Sequence, residues 1–558
     1  MKPTARISSW LAVVAVVGAA CSPQSIESPT TAEPPEPAST TTTATSPPTD
    51  AGPSTTTSPT TTEAGTVAPT TIVPVVPTAR LAVRDIWVFP GPDVYAGDRL
   101  TFQVPVGGFD EYALIDAEIA VDGAVLDTEA ILSGDPLIGG FLIFGDAFDT
   151  GTAVGGHWVD VTAHLDPGLT LELRQHFVVG PAASRPAQEL TAAWASRTTE
   201  CCELRFLTGT AAERDIDEIA ADLEELFRLD LPRVRIVLID TLWGNGGYAG
   251  SEVVLSYLDR DYTPGRAQGF GGLVRHELTH AITDQLERST PWPLAEGAAV
   301  FAAGGHYKSE PLGARAAALR EMGALPTLAR LFEDFREIQH EHRYVAVGAF
   351  VAYVVERFGW EAFVDLYDED IDADWRRWLN RASRRVLGED LAALQVGFDA
   401  WLDGMEVGDQ AIDLELTVSL QIARRRYQLA YAPYPSYLMY GSVTDADQPA
   451  LAMREGRTPE LAAVEAMIAA GQRAIAQGRF DDAGELVAAV ELVVETGRIS
   501  GGLPSEYLGV ALALSASGLE LVEVEISGAE VTAVAGAGAP EVTLVRLQRA
   551  PRGWALVP

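Results

Sequence analysis

The period of apolar and polar positions changes several times along the chain, and each change predicts a change of element. From Arg80 to Gly180 the period is two. Ile86-Trp87-Val88-Phe89, Leu100 to Val104, Asp116 to Val121, His157 to Thr162 and Leu171 to Val179 read as strands, and Gly91-Pro92, Ala96-Gly97-Asp98, Asp122-Gly123 and Gly155-Gly156 punctuate them. Short strands at this spacing predict an antiparallel β-sandwich over 80–180. Ala182 to Gln188 reads as a linker. At Asp215 the period becomes helical: Ile216, Ile219, Leu223, Leu226 and Phe227 fall on one face. Val234 to Ile239 is a buried-strand run, Ala249 to Tyr257 a second strand, and Gly271 to Leu286 a helix whose apolar surface is Leu273, Val274, Leu278, Ala281 and Ile282. After Trp401-Leu402 the signal fades. It returns as two amphipathic helices, Glu460 to Ala476 and Asp481 to Glu495, split by Gly478. Four strand runs follow: Leu519 to Ile526, Val531 to Val534, Val542 to Leu547 and Trp554 to Val557. The expected fold is multidomain: an N-terminal β-sandwich, a central α+β domain over 190–404, and a C-terminal α+β accessory domain over 411–558.

The two ends of the pattern carry further readings. Residues 1–21 have the form of an export signal: Lys2 and Arg6, a short apolar core from Trp10 to Val17, then Gly18-Ala19-Ala20 and Cys21. The run resembles a bacterial lipobox, with Gly18 where Leu or Val is usual. That resemblance implies a lipid on Cys21, membrane attachment and an extracellular location. Residues 22–79 are almost all Thr, Pro, Ser, Ala and Glu. They have too little apolar surface to offset chain entropy, so they predict a disordered, extended tether. The strand-rich segment over 80–180 resembles the immunoglobulin-like modules that precede catalytic domains in exported bacterial enzymes. The likeness is architectural and carries no functional residue.

Composition narrows the function. The 558 residues carry a net charge of −38 and are 47% apolar, which makes a strongly acidic globular protein and excludes nucleic acid and anionic lipid surfaces as partners. Of three cysteines, Cys201 and Cys202 are adjacent. Neighbouring cysteines rarely bond because the ring they close is strained, so two thiols are expected there, with no assigned role. Arg424-Arg425-Arg426 followed by Tyr427, Tyr431, Tyr434, Tyr437 and Tyr440 reads as a packing segment.

One motif carries chemistry. His276-Glu277-Leu278-Thr279-His280 is HExxH on a predicted helix. Residues i and i+4 lie one above the other, so both imidazoles can reach one tetrahedral zinc ion, and Glu277 can take a proton from a water beside it. Sixteen residues on, Glu296 lies in Pro291-Trp-Pro-Leu-Ala-Glu-Gly-Ala-Ala299. A second helix starting near Pro293 would supply it as third ligand and leave the fourth position open, as a catalytic site requires. Asp284 is the rival carboxylate, better suited to accept from a histidine ring N–H. His157, His164 and His176 are expected to be ordinary residues of the β domain. Tyr344, His306 and the His340–His342 cluster are candidates to stabilise an oxyanion, and Tyr344 is preferred.

HELTH followed by WPLAEGAA resembles the gluzincin metallopeptidases of the broad MA-like group, over roughly 200–400. A later stretch, Tyr344 to Gly359, matches the packed helix found in that group. The resemblance implies Zn2+ as cofactor, His276, His280 and Glu296 as its ligands, Glu277 as general base, and a peptide or protein as substrate. The departure is Pro293-Leu294 in place of Trp-Leu, with Trp292 shifted by one position, which alters a wall of the cleft. A second function class is a non-catalytic envelope lipoprotein that uses the same fold for binding. An intact Glu277 argues against it, and peptide turnover separates the two.

Overall fold

The computed structural model describes residues 77–557, apart from 84, 90–92, 107–111, 136–138, 186, 227–233, 240–246, 250–251, 257–269, 285–289, 307–308, 371–373, 432–457, 537–541 and 552. The expected leader, Cys21 as the expected site of a lipid, and nearly all of the expected tether lie outside the described residues, as do Tyr434, Tyr437 and Tyr440. Among the described residues, no helix is long and apolar enough to cross a membrane.

The protein is multidomain, with a mostly-β N-terminal region and a largely helical remainder. In the N-terminal region two sheets share one core. One sheet orders its strands Val94–Tyr95, Leu169–Gly180, Gly155–Asp166, Ala113–Val121 and Ala124–Asp127; the other runs Trp87–Phe89, Arg99–Val106, Gly139–Phe144 and Ala130–Asp135. Alternate residues point inward, so Val159, Val161 and Ala163 of one sheet meet Phe102, Val104 and Leu142 of the other. The Asp122-Gly123 signal holds: both residues have positive φ, 51° and 78°, which matches the right-handed twist of the strands they join.

The central sheet is built from β1 (Trp194–Thr198), β2 (Cys202–Leu207), β3 (Val234–Ile239), β4 (Gly247–Ala249) and β5 (Val253–Ser256), in the order β1-β2-β3-β5-β4. The three inner strands are parallel and both edges are antiparallel. The single strand expected over Ala249 to Tyr257 is therefore two, folded back on each other as β4 and β5. Helix α1 (Ala211–Leu226) makes the crossover from β2 to β3. Then come α2 (Phe270–Asp284), α3 (Trp292–Ala303), α4 (Leu312–Glu321) and α5 (His340–Phe358), with further helices between Leu328 and Asp403.

Both faces of this sheet are covered. Ile236, Leu238, Val253 and Leu255 pack against Ile219 and Leu223 of α1 and Val274, Leu278 and Ala281 of α2. Val237 and Val254 point the other way. They join the core of the C-terminal part, made by α6 (Gln410–Ala430), α7 (Pro459–Ala476), α8 (Phe480–Thr496), α9 (Gly502–Ser515) and a four-stranded antiparallel sheet from Glu520 to Leu556. Near the other end of the described chain, Ala79–Arg80 pairs with Arg498–Ile499.

Cys201 and Cys202 form a disulfide, contrary to the expectation of two thiols. The β1–β2 turn makes this possible. Thr199 N–H donates to Cys202 O at 2.8 Å, Cys202 N–H donates to Thr199 Oγ1 at 3.0 Å, and the bend brings the two sulfurs together inside the core.

Candidate metal centre

Helix α2 presents three kinds of residue on three sides. Val274, Leu278 and Ala281 follow i, i+4, i+7 and are buried against the sheet. His276 and His280 are spaced i, i+4 on the side away from it. Glu277 falls between these two sides, toward the sheet edge. There β4 comes so close that a Cβ on Gly247 would lie 2.9 Å from Glu277 Cγ. Pro291 is the N-cap of helix α3, and Pro293 lies in its first turn, where a missing N–H costs nothing. Glu296 then lies one turn in, facing α2.

The geometry brings His276, His280 and Glu296 together. His276 Nε2 and His280 Nε2 are 3.3 Å apart, and each is 3.3 Å from Glu296 Oε2. Three donors held tetrahedrally by an ion at 2.0–2.1 Å would be separated by about 3.3–3.4 Å. Glu296 Oε2 is buried without a hydrogen-bond partner, and so is His276 Nδ1. Lone pairs converging on one buried point, with an orphaned carboxylate oxygen among them, are unfavourable unless a cation sits there. The three residues form a group able to hold a metal ion. The side chain of Asp284, the rival carboxylate, lies outside the described residues.

Burial sets the charge states. It pushes His276 down to about 4, so the ring is a neutral donor at neutral pH. It pushes Glu277 up to about 7, into the range suited to a general base. Burial acts upward on Glu296 too, but the two facing imidazoles outweigh it and hold that carboxyl well below the ordinary range. His340 is held well below its usual range, chiefly by burial.

One residue beside the triad makes a contact the motif did not reveal. Trp292, expected only as a cleft wall, donates its indole N–H to Glu296 Oε1 at 2.6 Å. It thereby fixes the carboxylate with its other oxygen toward the histidines. Arg336 stacks over the same indole at 4.2 Å. The spacing Trp-x-x-x-Glu on one helix was the available signal, since i and i+4 side chains meet. Tyr344 is buried on α5, with its ring centroid 6.2 Å from that of His276 and 4.3 Å from that of His306. His306 in turn contacts Glu341 at 2.7 Å. His157 and His164 pair with Asp122 and Asp116 on the N-terminal strands, and His176 meets Trp158, all within that β region.

No family model matches the chain, and no curated protein matches it. A solved structure similar to part of the chain is CopC from Methylosinus trichosporium OB3b, at 20% identity, covering 19% of this chain and 99% of that one with a TM-score of 0.14. At that score the likeness carries no argument about fold or site.

Proposed function

We propose that the chain is a zinc-dependent metallopeptidase of the gluzincin type, with a zincin-like central domain over 190–404. In this reading the N-terminal sheets over 80–180 are an immunoglobulin-like module, residues 411–558 are an accessory domain, and residues 22–79 tether the protein to the outer face of the membrane through Cys21. The observation that carries the proposal is the 3.3 Å triangle of His276 Nε2, His280 Nε2 and Glu296 Oε2. A zinc ion, when bound there, lowers the pKa of water and polarises the scissile carbonyl. His276, His280 and Glu296 are the residues that would hold it.

The chain's own residues do the rest. Glu277, raised to about 7 by burial, takes the proton of the attacking water and delivers it to the departing amine. The Tyr344 hydroxyl donates to the oxygen that gains negative charge. Strand β4, the sheet edge next to Glu277, pairs only with β5 among the described residues. Its outer edge can bond an extended peptide as a further strand, which supports a peptide substrate.

Metal content tests the ligand set. Full-length protein should hold about one zinc per chain. His280→Ala and Glu296→Ala should lose it while keeping the far-ultraviolet circular dichroism of the parent. Unchanged zinc in both variants would remove the assignment.

A further inference from the structure

Helices α3 and α5 pack antiparallel, with Gly297 opposite Val347 and Val351 and Gly348 opposite Val300. Continuing that register past the end of α3 brings residue 306 alongside residues 341 and 344. The end of α3 is built to do this. Gly304 caps the helix at φ 76° and Gly305 follows at φ 154°, conformations that side chains with a Cβ rarely adopt. The helix therefore ends at Gly304, and the chain beyond it carries His306 on along the side of α5. On α5, Glu341 and Tyr344 are spaced i, i+3 and share one face. His306 meets both at once. Its Nδ1 lies 2.7 Å from Glu341 Oε2, with the two side chains 6% and 2% exposed. Its ring lies flat on Tyr344, centroids 4.3 Å apart and planes 20° apart. His340 flanks the same tyrosine at 4.5 Å. The turn itself is anchored. His306 N–H donates to Glu310 Oε2, and Glu310 Oε1 is 2.7 Å from Arg315, a fully buried arginine that also holds Asp413 of α6.

We infer that Glu341 and His306 form a positioning unit for Tyr344: the carboxylate fixes the imidazole, and the imidazole plane fixes the phenol ring beside the metal triad. The inference rests on the peptidase reading for its catalytic consequence, but not for its structural one. A tyrosine in a stack this close cannot swing its ring toward His306, and because a phenolic O–H lies in the ring plane, the fixed plane also limits the directions in which that hydrogen can point. Misplacing a hydrogen-bond donor by about 1 Å costs on the order of 10²-fold in rate. His306 and Glu341 touch neither substrate nor metal in this account and act only through Tyr344.

Two readouts on the full chain test it. The first needs no activity: ring-13C-tyrosine spectra of wild type, with the Tyr344 resonance identified by its loss in Tyr344→Phe. That resonance should shift in His306→Ala and stay near its place in Glu341→Gln, which keeps an acceptor for His306. An unmoved Tyr344 resonance in a folded His306→Ala overturns the inference. Should His306→Ala fail to fold, His306→Asn, smaller and still polar, takes its place with the same expected shift. The second readout is a double-mutant cycle on cleavage of a peptide library. His306→Ala should lower kcat by about 10–100-fold with KM and zinc unchanged, and His306→Ala in a Tyr344→Phe background should lower it no further. Losses that multiply overturn the inference. A wild type that cleaves nothing counts against the peptidase reading alone, because the resonance still decides whether His306 positions Tyr344.

Discussion

Glu277 shows how the centre's chemistry weighs on stability. Burial raises its carboxyl from an ordinary 4.5 to about 7. The folded chain therefore binds that proton more tightly than the unfolded chain does. The extra stability is fully present below 4.5, drains away as pH rises from 4.5 to about 7, and is gone above. Glutamine at this position is neutral at every pH and escapes the loss. In the metal-free protein, Glu277→Gln should therefore be the more stable at pH 8, by about 3 kcal/mol. The gap should shrink as pH falls toward 4.5. Thermal unfolding in a chelator at several pH values checks this, and a gap that is the same at all pH would contradict it. The same residues mark the limit of what the motif disclosed. HExxH and the later Glu296 were legible because ligand spacing on helices is a local property. Trp292 donating to Glu296 was legible in principle from its i, i+4 spacing, but many helices carry such a pair without using it. His306 was singled out as a candidate, but its pairing was not legible: its partners Glu341 and Tyr344 are 35 and 38 residues away, and only the register of two helices brings them to it.

At the scale of elements, helix α3, which carries Glu296, is held by small residues. A Cβ built on Gly297 would lie 2.9 Å from Val347 O, Val347 Cγ2 and Val351 Cγ2, and backbone oxygen cannot move aside cheaply. Alanine is the better helix former by about 1 kcal/mol, but overpacking costs about 1–3 kcal/mol and here must push α5 away from α3. Gly297→Ala should lower the melting temperature and weaken zinc binding. Gly484→Ala is the contrasting case, since Gly484 sits inside α8 with nothing nearer than 4.0 Å to its would-be Cβ. It should raise the melting temperature. Differential scanning calorimetry on the two variants decides the sign of each. Sequence periodicity found the elements with one clear apolar face: α7, α8, β3 and, in the N-terminal region, the strands Trp87–Phe89, Arg99–Val106, Ala113–Val121, Gly155–Asp166 and Leu169–Gly180, but not Ala124–Asp127, Ala130–Asp135 or Gly139–Phe144. It passed over α6 and α9. Helix α9 is apolar nearly all round, Leu-Gly-Val-Ala-Leu-Ala-Leu giving no contrast between faces. Helix α6 keeps polar residues in its buried stripe, Arg424 and Gln428 beside Leu420 and Tyr427, so burial there left little trace in hydropathy.

At the scale of the molecule, the C-terminal part is a wall of the central sheet rather than an appendage. Val237 and Val254, both fully buried, share their core with Leu420, Tyr427 and Ala462, and Arg315 of α4 reaches across to Asp413 of α6. Cutting the chain after residue 404 would expose that apolar face to water and take Asp413 away from Arg315. Residues 190–404 alone should give no cooperative melt and should aggregate, whereas residues 77–558 should unfold cooperatively. A cooperative, zinc-loaded 190–404 fragment would contradict this account of the C-terminal part. The central claim, that the triad and Glu277 make a hydrolytic centre, is best tested on the full chain with one paired measurement. Zinc content and cleavage of a mixed peptide library are read on the same samples of wild type and Glu277→Gln. The account predicts about one zinc per chain in both and a loss of turnover on the order of 10²–10⁴ in the variant. Full turnover by a zinc-loaded Glu277→Gln protein would contradict it.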